Sequence, residues 1–110
     1  MYAITEGLAK VNGKTVETFE REISEGRVAL QVEAGTTGYT GESTREAGGR
    51  TLLSFTCICG DFHLEPMENE QGQVVGVKIA CCGDDGLNAI LKALDFSLTA
   101  LDDQRREVND

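Results

Sequence analysis

Beyond Gly83 the period of the chain changes, and that change limits most of what it can fold into. Leu87, Ile90, Leu91, Leu94, Leu98 and Leu101 recur at helical spacing, and Ala89, Ala93, Phe96 and Ala100 widen the stripe. Apolar residues three and four apart share one face of an α-helix, so an amphipathic helix is expected from about 86 to 105. Asp84 or Asp85 supplies its N-cap, offering a side-chain acceptor and negative charge to the free N–H groups of the first turn. Arg105 and Arg106 fall in the last turn, where positive charge complements the helix dipole.

Upstream, the chain reads with period two. Residues 2–11 and 15–23 flank Asn12-Gly13, the dipeptide that best tolerates the positive φ angles of a two-residue hairpin turn. Phe19 and Ile23 share one face of the second strand, with Glu20 and Glu22 on the other. Arg27–Glu33 alternates cleanly, with Val28, Leu30 and Val32 inward. Thr51–Cys59 is apolar on both faces and reads as a central strand; Gly60 suggests a bulge. Pro66 marks the strand of Asp61–Met67 as an edge or a strand end, because proline cannot donate to a ladder. Gln73–Cys82 turns Val75, Val77, Ile79 and Cys81 to its inner face. The expectation is one α+β domain over residues 1–110, an antiparallel five- to six-stranded sheet with one long C-terminal helix packed on one face. The last residues, 107–110, are expected to fray.

Residues 34–49 form a Gly-rich loop that interrupts this pattern. It lacks the lysine and the following helix of a phosphate cradle, and Ala47-Gly48-Gly49 ends the helical turn that Ser43-Thr44-Arg45-Glu46 could start. Long loops are functional or flexible, and Thr36, Thr37, Tyr39 and Arg45 offer hydrogen bonding and stacking to a partner.

The net charge of −9 lies mostly in residues 61–110, with eleven acids against four bases. That field repels phosphate backbones, so no direct nucleic-acid binding is expected. Glu68, Glu70, Asp84 and Asp85 form the candidate acidic surface. The start of the chain lacks a basic and apolar export pattern, and no stretch approaches the roughly 20 apolar residues of a membrane span. A cytoplasmic protein without membrane attachment follows, its four cysteines reduced.

Cys57, Cys59 and His63 are the residues closest to a soft-metal site. Strand geometry spreads them, and adjacent Cys81 and Cys82 point to opposite faces, so cysteines buried as small hydrophobes and no cofactor are the expectation. Asp61, His63 and Glu65 share a strand face that could act as a general base or lie solvated.

Val32–Tyr39, Gly48–Thr51 and Cys82–Leu87, in that order, resemble segments of small bacterial proteins of about this length with no assigned activity, some carried on mobile elements. The resemblance implies no chemistry. The function expected is a non-enzymatic binding or interaction module acting through loop 34–49 and the acidic surface on a protein partner. The helix stripe is wide for one sheet face to cover, which points to a homodimer. The rival readings are an acidic nucleic-acid mimic that inhibits a DNA-processing enzyme, and a Cys/His metal-binding protein or small hydrolase using His63.

Overall fold

The structure is a computed structural model that describes residues 4–38 and 49–109. Its elements run β1 (Thr5–Val11), β2 (Lys14–Glu25), β3 (Val28–Thr36), β4 (Thr51–Cys59), β5 (Phe62–Glu68), β6 (Val74–Cys81) and α1 (Gly83–Asn109). This is the expected α+β architecture of antiparallel strands and one long C-terminal helix. The six strands fall into two sheets, β1-β2-β3-β4 and β5-β6.

Local chemistry sets the first turns. Asn12 and Gly13 take φ angles of 49° and 82°, both in the left-handed region, and close β1 onto β2 with Val11 opposite Lys14. Gly26, at φ 58°, begins the turn into β3. Ile23 then lies opposite Leu30, and Leu30 opposite Cys57, so one face of the sheet carries an apolar row across three strands. Gly35 lies against β2: a Cβ there would stand 2.2 Å from the Glu17 carbonyl oxygen, so only glycine fits.

β4 is an edge strand, not the expected central one, because the chain leaves the sheet directly after it. Gly60 takes φ 108°, and a Cβ there would meet Val28 Cγ2 at 2.9 Å. The Phe62 N–H donates back to the Gly60 carbonyl at 3.1 Å. The next strand therefore starts in a new direction and pairs only with β6. Pro66 sits within β5 opposite Val77, which costs no ladder bond on the open side of a two-stranded ribbon. Asn69 closes the hairpin tip, its Oδ1 accepting the N–H groups of Gln71 at 2.9 Å and Gln73 at 3.0 Å. The molecule is flat, 45 × 43 × 18 Å.

The core forms where α1 crosses β3 and β2. Ile23, Leu30 and Val32 pack with Ala89, Ala93 and Phe96, and Phe55, Cys57, Phe62 and Ile90 border them. The helix turns its small residues inward: Ala89, Ala93 and Ala100 are buried, and so is Gly86, where a Cβ would stand 2.9 Å from Cys81 Cβ. The leucines expected in the core face away, with Leu87, Leu91, Leu94 and Leu98 at 53, 54, 51 and 68 % exposure. The inner row of β6 likewise stays open at the far end of its hairpin, where Val75 and Val77 are exposed.

Leu30, fully buried, and Leu8, exposed on β1, provide a test of this core. Leu30→Ala is expected to lower the unfolding free energy by about 2–5 kcal/mol, and Leu8→Ala to change it by less than about 0.5 kcal/mol. Urea titration followed by circular dichroism measures both; equal effects would contradict this core.

Candidate functional site

β3 and β4 bring the two ends of loop 34–49 together and fasten them. The Thr37 N–H donates to the Arg50 carbonyl at 2.9 Å, and the Arg50 N–H donates to Thr37 Oγ1 at 2.8 Å. Thr36 Oγ1 and Thr51 Oγ1 share a hydrogen bond of 2.8 Å, and Thr36 Oγ1 also accepts the Gly38 N–H at 3.0 Å. A Cβ on Gly49 would press on the Gly38 carbonyl, so this stem has no room for a larger residue there. β3 runs through Thr36, placing the first residues assigned to the loop in the strand. Tyr39 and Arg45 lie outside the described residues.

The C-terminal half of α1 is tied to this stem by Gln104, a residue the apolar pattern passes over. Its Nε2 donates to the Glu17 carbonyl at 2.8 Å, and its Oε1 accepts the Thr36 N–H at 2.9 Å. Gln104 is buried, so the amide satisfies two backbone groups that burial would otherwise leave unpaired. The sequence signal is its spacing: Gln104 follows Ala100 by four residues on the face that meets the sheet.

Between stem and helix lies a cleft of about 280 Å³, lined by Thr36, Gly38 and Thr51 on one side and Leu98, Leu101, Asp102 and Arg105 on the other. Apolar area and a few convergent polar groups thus meet in one cleft of modest size. Asp102 accepts from Arg105 through Nη2 and, at 3.2 Å, through Nε, and pairs with Arg106 at 2.9 Å. The Arg105 hydrogen bond holds the Asp102 carboxyl below the usual carboxylate range; partial desolvation opposes this, and the nearby charges of Arg106 and Arg105 add to it.

The candidate acidic residues do not converge. Glu68 ends β5 and Glu70 sits in the hairpin tip, whereas Asp84 and Asp85 open α1 at the hairpin's base. The six to seven residues of strand between them span roughly 20 Å at about 3.3 Å per residue. Asp85 lies against Gly26, and with Asp84, Arg27, Asp61 and Cys82 it borders a second cleft of about 370 Å³.

All four cysteines are free thiols. Cys57 packs at the core margin, and exposed Cys59 points its thiol at the Arg27 carbonyl, 3.4 Å away. Cys81 is half-buried beside Gly86, and Cys82 is exposed. His63 is exposed on β5 opposite Ala80, with Asp61 in the bend before the strand. Among the described residues, no three His, Cys, Asp or Glu side chains group closely enough to hold a metal ion. No helix there is long and apolar enough to cross a membrane.

The lowered Asp102 pKa has a definite sign. A carboxylate titrating lower folded than unfolded adds stability above its unfolded pKa and loses that stability as pH falls through the folded value. The side-chain carboxyl carbon of Asp102, followed by NMR, is expected to titrate below the usual aspartate range, and Arg105→Gln is expected to raise it. A midpoint left unmoved by Arg105→Gln would contradict the ion pair.

No protein-family model, no curated protein and no solved structure matches the chain.

Proposed function

We propose that this chain is a non-enzymatic binding module of the cytoplasm that holds a protein partner at the cleft between the stem of loop 34–49 and the C-terminal half of α1. The observation that carries the reading is the convergence in that cleft. Leu98 and Leu101 offer apolar area, Thr36 and Thr51 offer hydroxyls, and Asp102 with Arg105 offers a paired charge. This combination suits an extended peptide segment that inserts an apolar side chain and aligns its polar backbone along the threonines. The rest of loop 34–49, with Tyr39 and Arg45, departs from the same stem and would extend the contact.

The cytoplasmic assignment is supported by four free cysteines, which suit a reducing compartment. The acidic second half enters as a steering field. It speeds encounter with a basic partner surface, and its effect weakens as salt is raised.

Affinity capture from the native cell tests the reading with three baits: the wild-type chain, a Leu101→Ser variant, and a chain with residues 36–47 replaced by Gly-Ser repeats. The expected result is a protein retained by the wild type and lost from both variants while their circular dichroism stays native. The same proteins retained by all three would remove the cleft and the loop as recognition elements.

A further inference from the structure

The exposed leucines of α1 follow a stricter rule than amphipathicity alone. Leu87, Leu91, Leu94, Leu98 and Leu101 are spaced four, three, four and three residues apart, the a/d pattern of a helix seam. At 100° per residue, the middle of this stripe lies roughly 150° around the helix from the Ala89, Ala93, Phe96 and Ala100 face that meets the sheet. The seam therefore stands clear of the chain's own core. Two heptads are too short to form a coiled coil from free peptides, which need three or four. Here the helix is already held on its sheet, so no nucleation cost remains to be met.

We propose that α1 pairs antiparallel with α1 of a second copy of this chain, forming a two-fold dimer through these leucines. A seam of identical spacing is self-complementary, as a two-fold interface requires. In the antiparallel register Leu87 meets Leu98 of the second copy and Leu91 meets Leu94, so every leucine of α1 exposed by half or more finds a leucine. The two-fold axis crosses between residues 92 and 93. The next layer sets Leu101 beside Asp84 of the second copy, with Arg105 one turn further on. Charge selects this orientation. A parallel pair would bring Asp84 and Asp85 against their own copies with the helix dipoles aligned, whereas the antiparallel pair opposes the dipoles and sets Asp84 beside the internally paired Asp102, Arg105 and Arg106.

Size sets the strength. From Leu87 to Leu101 the seam is about 21 Å long and the helix about 10–12 Å wide, a strip of roughly 250 Å², against about 800 Å² per partner for a stable interface. More apolar surface lies beside it. Leu53 is exposed on edge strand β4, on the face it shares with Ala34, near the cleft that Leu98 and Leu101 line. Leu64, Pro66, Val75 and Val77 are exposed on the hairpin that leads into the N-terminal end of α1, where the second copy's C-terminal half arrives. Such an interface yields a dimer in the micromolar range, sensitive to concentration.

Leu98 and Leu101 also line the loop-stem cleft, so a second copy and a partner there compete for them, whereas Leu91 and Leu94 belong to the seam alone; sedimentation equilibrium of the full chain in 0.15 M salt tests the dimer from micromolar to several hundred micromolar. The wild type is expected to pass from monomer to dimer over that range. Leu91→Glu/Leu94→Glu is expected to weaken association by roughly tenfold or more with its helix signal unchanged, since both positions are exposed in one copy. A wild type that stays monomeric throughout overturns the proposal and leaves the stripe to a different partner. So does a dimer indifferent to the double glutamate.

Discussion

Everything in this molecule depends on how closely α1 lies on β3. Ala89 and Ala93 pack in one cluster with Leu30 and Val32, Ala100 is buried on the same helix face, and only a helix face of small residues approaches a sheet so closely without voids. Phe96 fills the space that these alanines leave. Gly86 allows the same closeness at the start of the helix against Cys81, and Gln104 completes it at the far end with hydrogen bonds to β2 and β3. That seating fixes the rotation of the helix. It sends the small residues inward, the leucines to one flank and the charged residues to the other, where Lys92 reaches Glu25.

The second consequence is at the loop stem. Because the C-terminal half of α1 is pinned by Gln104, Leu98, Leu101, Asp102 and Arg105 are presented to the strand ends from which loop 34–49 leaves. The acidic hairpin tip and the acidic helix start lie at opposite ends of the β5-β6 ribbon, so they act as separate charges.

Much of the fold was legible from spacing. Asn12-Gly13 named its hairpin, alternation located all six strands, and the stripe beyond Gly83 located the helix, which starts a few residues earlier than its apolar residues do. What spacing could not divide was the stripe itself. Its apolar arc covers well over half of the helix circumference, and residue size, not periodicity, decides which part meets the sheet. Leucine carries the greater hydrophobicity and alanine the closer approach, and here close approach prevails. The split into two sheets was equally hidden, because it depends on Gly60 packing against Val28, a contact between residues far apart in sequence. Thr36 and Thr37 stood out as candidates through the composition of the loop they adjoin. Leu98, Leu101, Asp102, Arg105 and Gln104 became part of the same site only when the helix was laid across the sheet.

The central claim is that α1 has two working faces, one of small residues that builds the core and one of leucines held out for contact. Leucine methyl NMR with a soluble paramagnetic agent reads both faces in one sample, because relaxation reports the water access of each methyl group. Leu30 is expected to be protected at every protein concentration. Leu87, Leu91, Leu94 and Leu98 are expected to be strongly relaxed in dilute solution and to gain protection together as concentration rises. Protection of these four in dilute solution equal to that of Leu30 would contradict the helix orientation, and strong relaxation unchanged at high concentration would contradict the outward face as a surface for self-contact.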